Sequence, residues 1–149
     1  MTHTVFIDGE AGTTGLQIWE RLNGRPEIEL IHLGDSQRKD TAARAGALNT
    51  ADVSILCLPD DASREAVSLV DTPAARIIDA SIAYRTDPDW IFGFPEWAPG
   101  QRDKIAAATR VTNPGCYACG SVAILHPLVS AGLVPTNHAT AINAVSGYS

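Results

Sequence analysis

The residues best suited to covalent chemistry lie in the stretch NPGCYACG at positions 113–120, where a cysteine sits on a tight turn before an apolar run. Pro114 and Gly115 are typical turn residues, and the run that follows is predicted to be helical, so Cys116 is expected at or near a helix N-terminus. Free N–H groups and the positive end of the helix dipole favour thiolate over thiol there, which prepares the sulfur for nucleophilic attack. A buried structural cysteine is the alternative, and position alone does not separate the two.

A second candidate site follows a strand-like run at residues 4–8. Positions 9–15 read GEAGTTG, and Leu16, Trp19 and Leu22 then recur at helical spacing. A glycine turn between a strand and a helix lets the backbone approach a pyrophosphate at the helix N-terminus, although similar turns also occur where nothing binds. The pattern predicts a dinucleotide site formed by Gly9, Gly12, Thr13, Thr14 and Gly15.

The loop after a second predicted strand, at residues 28–33, bears on the choice between NAD and NADP. Asp35 is placed to hold a ribose 2′-hydroxyl, which would favour NAD. Ser36, Arg38 and Lys39 instead form a small cationic, hydrogen-bonding cluster suited to a 2′-phosphate. We favour NADP as the cofactor, with a solvated loop whose charges serve only solubility as the alternative.

The elements that must position these residues alternate along the first 112 residues. Further strands are predicted at residues 53–58, 76–79, 90–94 and 110–112, and helices at residues 41–49, 62–70 and 101–108. This alternation predicts an α/β fold with a doubly wound parallel sheet, a Rossmann-like nucleotide-binding domain. Cys57 is expected to be plain core within its apolar strand.

Beyond residue 112 the expectations concern one helix and one strand. Pro127 is expected to kink the apolar helix or to stop it early. Residues 138–145 are expected to form a strand, and residues 146–149 are polar with no concluding element. These residues are expected to begin a second, α+β domain.

Polar residues follow two of the predicted strands at the edge where ligands bind in open α/β sheets. Pro59 and Asp60 end one strand, and both could line the crevice or serve only as a strand stop and a helix cap. Ser81 and Arg85 lie in the polar loop after another strand. Arg85 could hold a carboxylate or a phosphate through a forked hydrogen bond, whereas an exposed loop arginine is usually only solvated.

Composition excludes several classes of partner. With a formal net charge of −6 and only 11 scattered Lys and Arg residues, the chain has no general attraction for nucleic acid or an anionic membrane. No basic leader or long apolar segment precedes the first strand, so neither a signal peptide nor a membrane span is expected. Three cysteines are an odd number and argue against a disulfide scaffold, which is typical of a cytoplasmic protein.

Essentially the whole chain resembles the N-acetyl-gamma-glutamyl-phosphate reductases of arginine biosynthesis, in particular their shorter second type. The segments that carry the resemblance are GEAGTTG (9–15), LPDD (58–61), DAS (79–81), GFPE (93–96) and, most specific, NPGCY (113–117). The resemblance implies an NADP-binding domain at residues 1–112, with the cysteine helix and the start of a dimerising substrate domain at residues 113–149. It also implies that a full-length form is a homo-oligomer acting on a small acyl phosphate.

The resemblance makes Cys116 the catalytic nucleophile. In that family the thiolate and the acyl phosphate interconvert with a thioester, which accepts hydride from NADPH to give the semialdehyde. Arg85 and Asn113 are the expected substrate contacts, and no metal site is expected. An activated acyl phosphate needs a soft nucleophile, so the chemistry agrees with the interpretation drawn from the cysteine turn.

The chain departs from the family in two respects. Cys119 stands where the family usually has threonine, which creates a C-x-x-C pair. Read alone, that pair suggests a redox couple or half of a zinc site, and a simple exchange of a small hydroxyl for a small thiol is the alternative. Family members are also about twice as long, and their catalytic histidine lies beyond position 149. We therefore expect a truncated form that binds NADP without turning over substrate.

Two other functions remain open at the level of sequence. An aspartate-semialdehyde dehydrogenase would share the architecture and the thioester chemistry, but that family normally has asparagine before its cysteine, where this chain has Gly115. A non-catalytic NADP-binding module would share the glycine turn and lack a reactive thiol.

Overall fold

The computed structural model describes residues 1–145, and strands and helices alternate along most of that part of the chain. Its strands are β1 (His3–Asp8), β2 (Ile28–Ile31), β3 (Val53–Leu56), β4 (Arg76–Asp79), β5 (Ile91–Phe92) and β6 (Arg110–Thr112). Its helices are α1 (Thr13–Leu22), α2 (Thr41–Thr50), α3 (Asp60–Ser68), α4 (Gln101–Ala107) and α5 (Cys116–Ser130). None of these helices combines the length and the apolar character that crossing a membrane requires.

The described strands form one parallel sheet in the order β2-β1-β3-β4-β6-β5. The doubly wound α/β fold predicted from the alternation of elements is therefore confirmed. Strand order reverses between β1 and β3, because β2 lies on one side of β1 and the later strands lie on the other. Ligands of open α/β sheets bind beyond the carboxyl ends of the strands at such a reversal. The turn that follows β1 therefore lies at this crevice.

The core lies between the sheet and the helices α2 and α3. Its buried members are Phe6, Ala47, Leu48, Ala51, Leu56, Ala66 and Ile77. The apolar strand residues come from β1, β3 and β4, the central strands of the sheet. Helix α2 begins at Thr41 because the Asp40 carboxylate accepts a hydrogen bond from the Ala43 N–H at 2.7 Å. The packed core fixes the ends of these strands, and with them the crevice.

Strand pairing makes several elements shorter than the apolar runs suggest. The strand predicted at residues 28–33 ends at Ile31, which is paired with Phe6, and the strand predicted at residues 53–58 ends at Leu56, which is paired with Asp8. β3 stops at Leu56 because β1 itself ends at Asp8 and turns away through the glycines, whereas β2 separates from β1 two residues earlier, at Phe6. Likewise, the strand predicted at residues 90–94 is reduced to β5.

The structure differs from two expectations for the C-terminal part. Helix α5 does not stop at Pro127 but continues to Ser130, so the early stop is excluded and the kink stays a prediction. Residues 138–145 form no strand and are exposed, because no described strand lies beside them to accept their backbone hydrogen bonds. The polar ending at residues 146–149 lies outside the described residues.

Candidate active site

The glycine turn packs so closely that side chains are excluded from it. Gly9 has φ of +90°, and a Cβ there would overlap the Cys57 carbonyl oxygen. A Cβ on Gly15 would overlap the carbonyl oxygen of Gly9. Gly12, whose N–H donates to that same oxygen at 3.0 Å, is the N-cap of α1. The turn therefore packs against the residue that follows β3 and against the start of α1. This packing leaves a backbone surface that a phosphate can approach.

The first residues of α1 face the same crevice. The first helical bond of α1 runs from the Leu16 N–H to the Gly12 carbonyl oxygen at 2.8 Å. The N–H groups of Thr13, Thr14 and Gly15 precede that bond, and such groups are available to an anion. The predicted pyrophosphate residues thus converge on one helix N-terminus.

A cavity of about 450 Å³ opens beside the glycine turn, and we call it the glycine cavity. Arg38 and Lys39 line it, so two of the three residues predicted to hold a 2′-phosphate lie in its wall. Ser36 is exposed and is not part of the wall. Asp35 forms an ion pair with Arg38 at 3.5 Å (Oδ1 to Nη1). The acidic residue that would favour NAD is therefore paired with one of the cations that would favour NADP. The other lining residues are Phe6, Ile7, Asp8, Gly9, Glu10, Ala11, Leu33, Arg44, Leu58, Ala62 and Glu65.

Arg44 is a residue of this cavity that sequence reasoning missed. Its Nε and Nη2 both donate to Asp8 Oδ2, at 3.1 and 2.9 Å, and its Nη1 donates to Glu65 Oε1 at 3.3 Å. Arg44 and Asp8 are buried, so the pair joins α2 to the end of β1 just before the glycine turn. Two carboxylates compensate its charge, which leaves Arg38 and Lys39 as the cations for an incoming anion. The sequence feature that could have indicated Arg44 was its place as the single arginine of an alanine-rich helix.

A second cavity, of about 310 Å³, surrounds Cys116, and we call it the cysteine cavity. It is lined by Thr14, Cys57, Leu58, Ala80, Arg85, Asn113, Pro114, Gly115 and Cys116. Four separate segments of the chain therefore meet at the candidate nucleophile. Cys116 is exposed and is the first residue of α5, at the helix N-terminus predicted for it. Leu58 lines both cavities, which places the glycine turn and the thiol side by side.

Arg85 lies against the turn that carries the cysteine. A Cβ on Gly115 would come within 2.8 Å of Arg85 Nη1, so the guanidinium lies directly over this glycine and would have to shift for a larger residue. Nη2 donates to the Ala80 carbonyl oxygen at 3.2 Å, and Nε is buried without a hydrogen-bond partner in the described part of the chain. The side chain is thus held at the cysteine cavity with donor capacity remaining.

The loop that presents Arg85 is held by α3. Asp60 Oδ1 accepts from the Ile82 N–H at 3.0 Å, and Arg64 Nη2 donates to the Ala83 carbonyl oxygen at 3.0 Å. Asp60 therefore connects a strand end to a neighbouring loop rather than facing either cavity. Pro59 is the N-cap of α3 and also lies outside both cavity walls.

Ser81, predicted to contact the cofactor, has its hydroxyl engaged within the protein. It donates to Asp79 Oδ2 at 2.7 Å and accepts from the Ala83 N–H at 3.1 Å. The fully buried Asp79 carboxylate also accepts from Ser63 Oγ at 2.5 Å. Ser81 therefore shapes the loop, and neither cavity is lined by it.

Cys57 is not the plain core residue expected from its apolar run. It is half-buried and lines the cysteine cavity. Burial, followed by the negative charges of Asp8 and Asp79, raises the pKa of the Cys57 thiol to about 11. This thiol is therefore protonated near neutral pH, whereas the nucleophilic form of a cysteine is the thiolate.

The remaining cysteine and histidine residues show no metal-binding arrangement. Cys119 is a free, half-buried thiol, and residues 1–145 contain no cluster of three His, Cys, Asp or Glu side chains placed to hold a metal ion. His126 packs against Trp97 with ring centroids 4.5 Å apart and the rings tilted by 31°, and it is not part of the wall of the cysteine cavity.

Comparison with known proteins gives a family match over most of the chain. Residues 4–108 match the family described as semialdehyde dehydrogenase, NAD binding domain. A protein of Burkholderia lata named N-acetyl-gamma-glutamyl-phosphate reductase is 58% identical over 146 residues, which are 98% of this chain and 46% of that protein. One from Nostoc sp., named N-acetyl-gamma-glutamyl-phosphate reductase 2, is 59% identical over 97% of this chain and 45% of its own length. The chain spans about half the length of the curated relatives it matches.

Among solved structures, aspartate semialdehyde dehydrogenase with NADP from Candida albicans superposes with a TM-score of 0.65 and 18% identity. The superposition covers 88% of this chain and 48% of that one. A likeness at this level of identity supports the fold alone.

Proposed function

This chain belongs to the semialdehyde dehydrogenase family through its NAD-binding domain, and on that premise we propose that it acts in the NADP-dependent reduction of N-acetyl-gamma-glutamyl phosphate to N-acetylglutamate semialdehyde. The resemblance to N-acetyl-gamma-glutamyl-phosphate reductases is confirmed by relatives that are 58% and 59% identical. The observation that carries the proposal is the meeting of Cys116 with Thr14 in one cavity, because it joins a candidate nucleophile to a nucleotide-binding turn.

Cys116 is the proposed nucleophile. Its sulfur attacks the acyl carbon of the substrate, a carbon–sulfur bond forms, and the bond from carbon to the phosphate oxygen breaks as phosphate leaves. Covalent capture divides a difficult reduction into two easier steps and holds the acyl group in place. The first N–H groups of α5 precede its first helical bond, from Cys119 N–H to the Gly115 carbonyl oxygen at 3.0 Å, and they are placed to stabilise negative charge on an acyl oxygen.

The glycine cavity and the adjoining turn fit a dinucleotide. Cβ atoms at Gly9 and Gly15 would overlap backbone atoms, so the turn has the close packing that a backbone pyrophosphate site requires. When bound, the nicotinamide cofactor supplies the hydride that reduces the thioester. The residues proposed to hold the cofactor are Gly9, Gly12, Thr13, Thr14 and Gly15 at the pyrophosphate, and Ser36, Arg38 and Lys39 at a 2′-phosphate, with Pro59 and Ser81 shaping the adjoining loops.

Arg85 and Asn113 are the proposed substrate contacts. Both line the cysteine cavity, and the Arg85 guanidinium lies over Gly115, next to Cys116. A guanidinium beside the thiol suits the phosphate or carboxylate of the substrate, because planar donors match these groups in pairs. Residues 1–112 form the proposed nucleotide-binding domain, and residues 113–149 belong to the proposed substrate side, in a homo-oligomer at full length.

The test uses the 149-residue chain and a single acyl-transfer step. Incubation with N-acetyl-gamma-glutamyl phosphate is expected to add one acyl group to Cys116, removable by hydroxylamine as a thioester is. Cys116→Ser should abolish this acylation, whereas Cys57→Ser should leave it intact. β-Aspartyl phosphate serves as the control acyl donor. Equal acylation by the two acyl phosphates would contradict the substrate assignment, and acylation at Cys57 would contradict the site.

A further inference from the structure

We propose that Cys116 and Cys119 form a reversible intramolecular disulfide when hydrogen peroxide oxidises the protein, and that this disulfide blocks the exposed thiol. The disulfide goes beyond the proposed function, because its formation needs neither substrate nor cofactor. Only its consequence for catalysis depends on the proposed role of Cys116.

The two thiols share the first turn of α5. Cys116 is the first residue of the helix, and the Cys119 N–H makes the first helical bond, to the Gly115 carbonyl oxygen at 3.0 Å. Both cysteines are free; Cys116 is exposed and Cys119 is half-buried. An exposed thiol meets a dissolved oxidant first, and a partner one turn away is placed to resolve the oxidised form.

The first turn needs only a small rearrangement to close the bond. Side chains three residues apart on an α-helix have Cβ atoms about 5–6 Å apart, whereas a disulfide needs about 3.8 Å. Cys116 is the first residue of α5, and its N–H precedes the first helical bond, so its backbone is the least restrained of the helix and can rotate to bring the two Cβ atoms together. No residue of α5 is buried, and no side chain caps its N-terminus, so this rearrangement disturbs no packed core.

Cys57 is the competing partner, because it lines the same cavity as Cys116. Its thiol is half-buried and stays protonated near neutral pH, since burial and two nearby carboxylates raise its pKa to about 11. A thiol in that state attacks slowly. Cys119 is separated from Cys116 by a single helical turn.

The oxidation balances with one peroxide. The Cys116 sulfur attacks one peroxide oxygen, the oxygen–oxygen bond breaks, and a sulfenic acid forms as water leaves. The Cys119 sulfur then attacks the sulfenic sulfur, a sulfur–sulfur bond forms, and the sulfur–oxygen bond breaks to release a second water. Two thiols are oxidised and one peroxide is reduced to two waters. The closed pair cannot attack an acyl phosphate, and it protects Cys116 from irreversible oxidation to the sulfinic acid.

In the experiment, the 149-residue chain is exposed to hydrogen peroxide. Mass spectrometry measures the mass of the intact protein and identifies the oxidised or linked peptides. The wild type and Cys57→Ser are expected to lose the mass of two hydrogens, to show a linked peptide containing Cys116 and Cys119, and to regain full labelling after dithiothreitol. Cys119→Ser and Cys119→Thr are expected to gain two oxygen atoms at Cys116 instead and to recover no labelling. Circular dichroism confirms that each variant is folded.

Three outcomes would overturn the disulfide: equal gain of oxygen by the wild type and both Cys119 variants, a linked peptide joining Cys57 to Cys116, or disulfide-linked dimers on a non-reducing gel. Acylation of reduced Cys119→Ser by the acyl phosphate is measured in parallel. If acylation occurs and no disulfide forms, only the disulfide proposal fails. If the disulfide forms and no acylation occurs, only the proposed function fails.

Discussion

The three cysteines offer a direct test of the candidate nucleophile, because the structure assigns them different surroundings. Iodoacetamide reacts with thiolate, so its rate follows the fraction of each thiol that is ionised. The pKa of Cys57 is raised from 9.0 to about 11, chiefly by burial. At pH 7 this leaves about one Cys57 side chain in 10,000 as thiolate, roughly 100-fold fewer than an unperturbed thiol would have.

The expected difference in rate is smaller than the difference in ionisation. A thiolate of higher pKa is intrinsically more nucleophilic, and two pKa units recover about 6–10-fold of the loss. Cys57 should therefore react about tenfold more slowly than an exposed ordinary thiol, and its half-buried position slows it further. Cys116 is exposed, and we expect it to be labelled at least about tenfold faster than Cys57 at pH 7.

The pH dependence separates ionisation from simple access. Because Cys57 ionises only near pH 11, its labelling rate should rise about tenfold for each pH unit between pH 7 and pH 10. Peptide-resolved mass spectrometry measures each cysteine separately, and Cys119→Ser removes interference from the neighbouring thiol. Equal, slow labelling of Cys116 and Cys57 would refute the nucleophile and leave only a nucleotide-binding role. A rate for Cys57 that does not change with pH would refute the assigned pKa shift.

Four further predictions concern the cofactor site and its support. Gly15→Ala should lower the free energy of unfolding by about 1–3 kcal/mol through overpacking against the glycine turn, measured by urea denaturation, and should weaken NADPH binding. Arg44→Met should lower the free energy of unfolding by about 3–5 kcal/mol, because Asp8 is left buried without its partner. Arg38→Ala should weaken binding of NADPH more than binding of NADH, measured by fluorescence titration, because only NADPH carries the 2′-phosphate. The 149-residue chain assayed alone should bind NADPH without steady-state turnover of N-acetylglutamate semialdehyde, NADP and phosphate.

Matched controls accompany these variants. Gly46→Ala is the control for Gly15→Ala, because a Cβ at this glycine of α2 meets nothing within 4 Å and should leave stability unchanged or raised. Arg102→Ala removes an exposed arginine outside both cavity walls and should leave the NADPH preference intact. Replacing Asp8 by leucine together with Arg44→Met should restore part of the lost stability, since no unpaired buried carboxylate then remains at position 8.

Each of these predictions has an outcome that contradicts it. Equal destabilisation by Gly15→Ala and Gly46→Ala would show that the glycine turn is not closely packed. Unchanged stability of the Arg44 variant would mean that the buried pair contributes nothing. Equal losses for NADPH and NADH in Arg38→Ala would remove the support for NADP, and normal turnover by the 149-residue chain would show that these residues suffice for catalysis.

The fold class and the positions of the two turns could be predicted from the sequence alone. Strands and helices were recognisable because their apolar periodicity is a local property, and the glycines after β1 marked the nucleotide turn for the same reason. The start of α5 at Cys116 followed from the turn residues Pro114 and Gly115. The family resemblance rested on short segments of this kind, and the match over residues 4–108 agrees with it.

Strand ends and the last predicted strand depended on tertiary structure. A strand extends only as far as its neighbour pairs with it, so β3 ends where β1 turns away, β2 ends where it separates from β1 at Phe6, and residues 138–145 have no described strand beside them. Apolar composition cannot report such pairing, because the partner lies far away in sequence.

The partners of individual side chains were also decided by tertiary structure. Arg44 meets Asp8 across 36 positions of the chain, and Ser81 donates its hydroxyl to Asp79. Cys57 was expected in the core, yet the sheet places it in the cavity that holds Cys116. These contacts depend on which strands lie side by side, a long-range property that local patterns do not encode. The sequence therefore predicted the candidate nucleophile and the glycine turn, and the packing of the sheet decided which residues surround them.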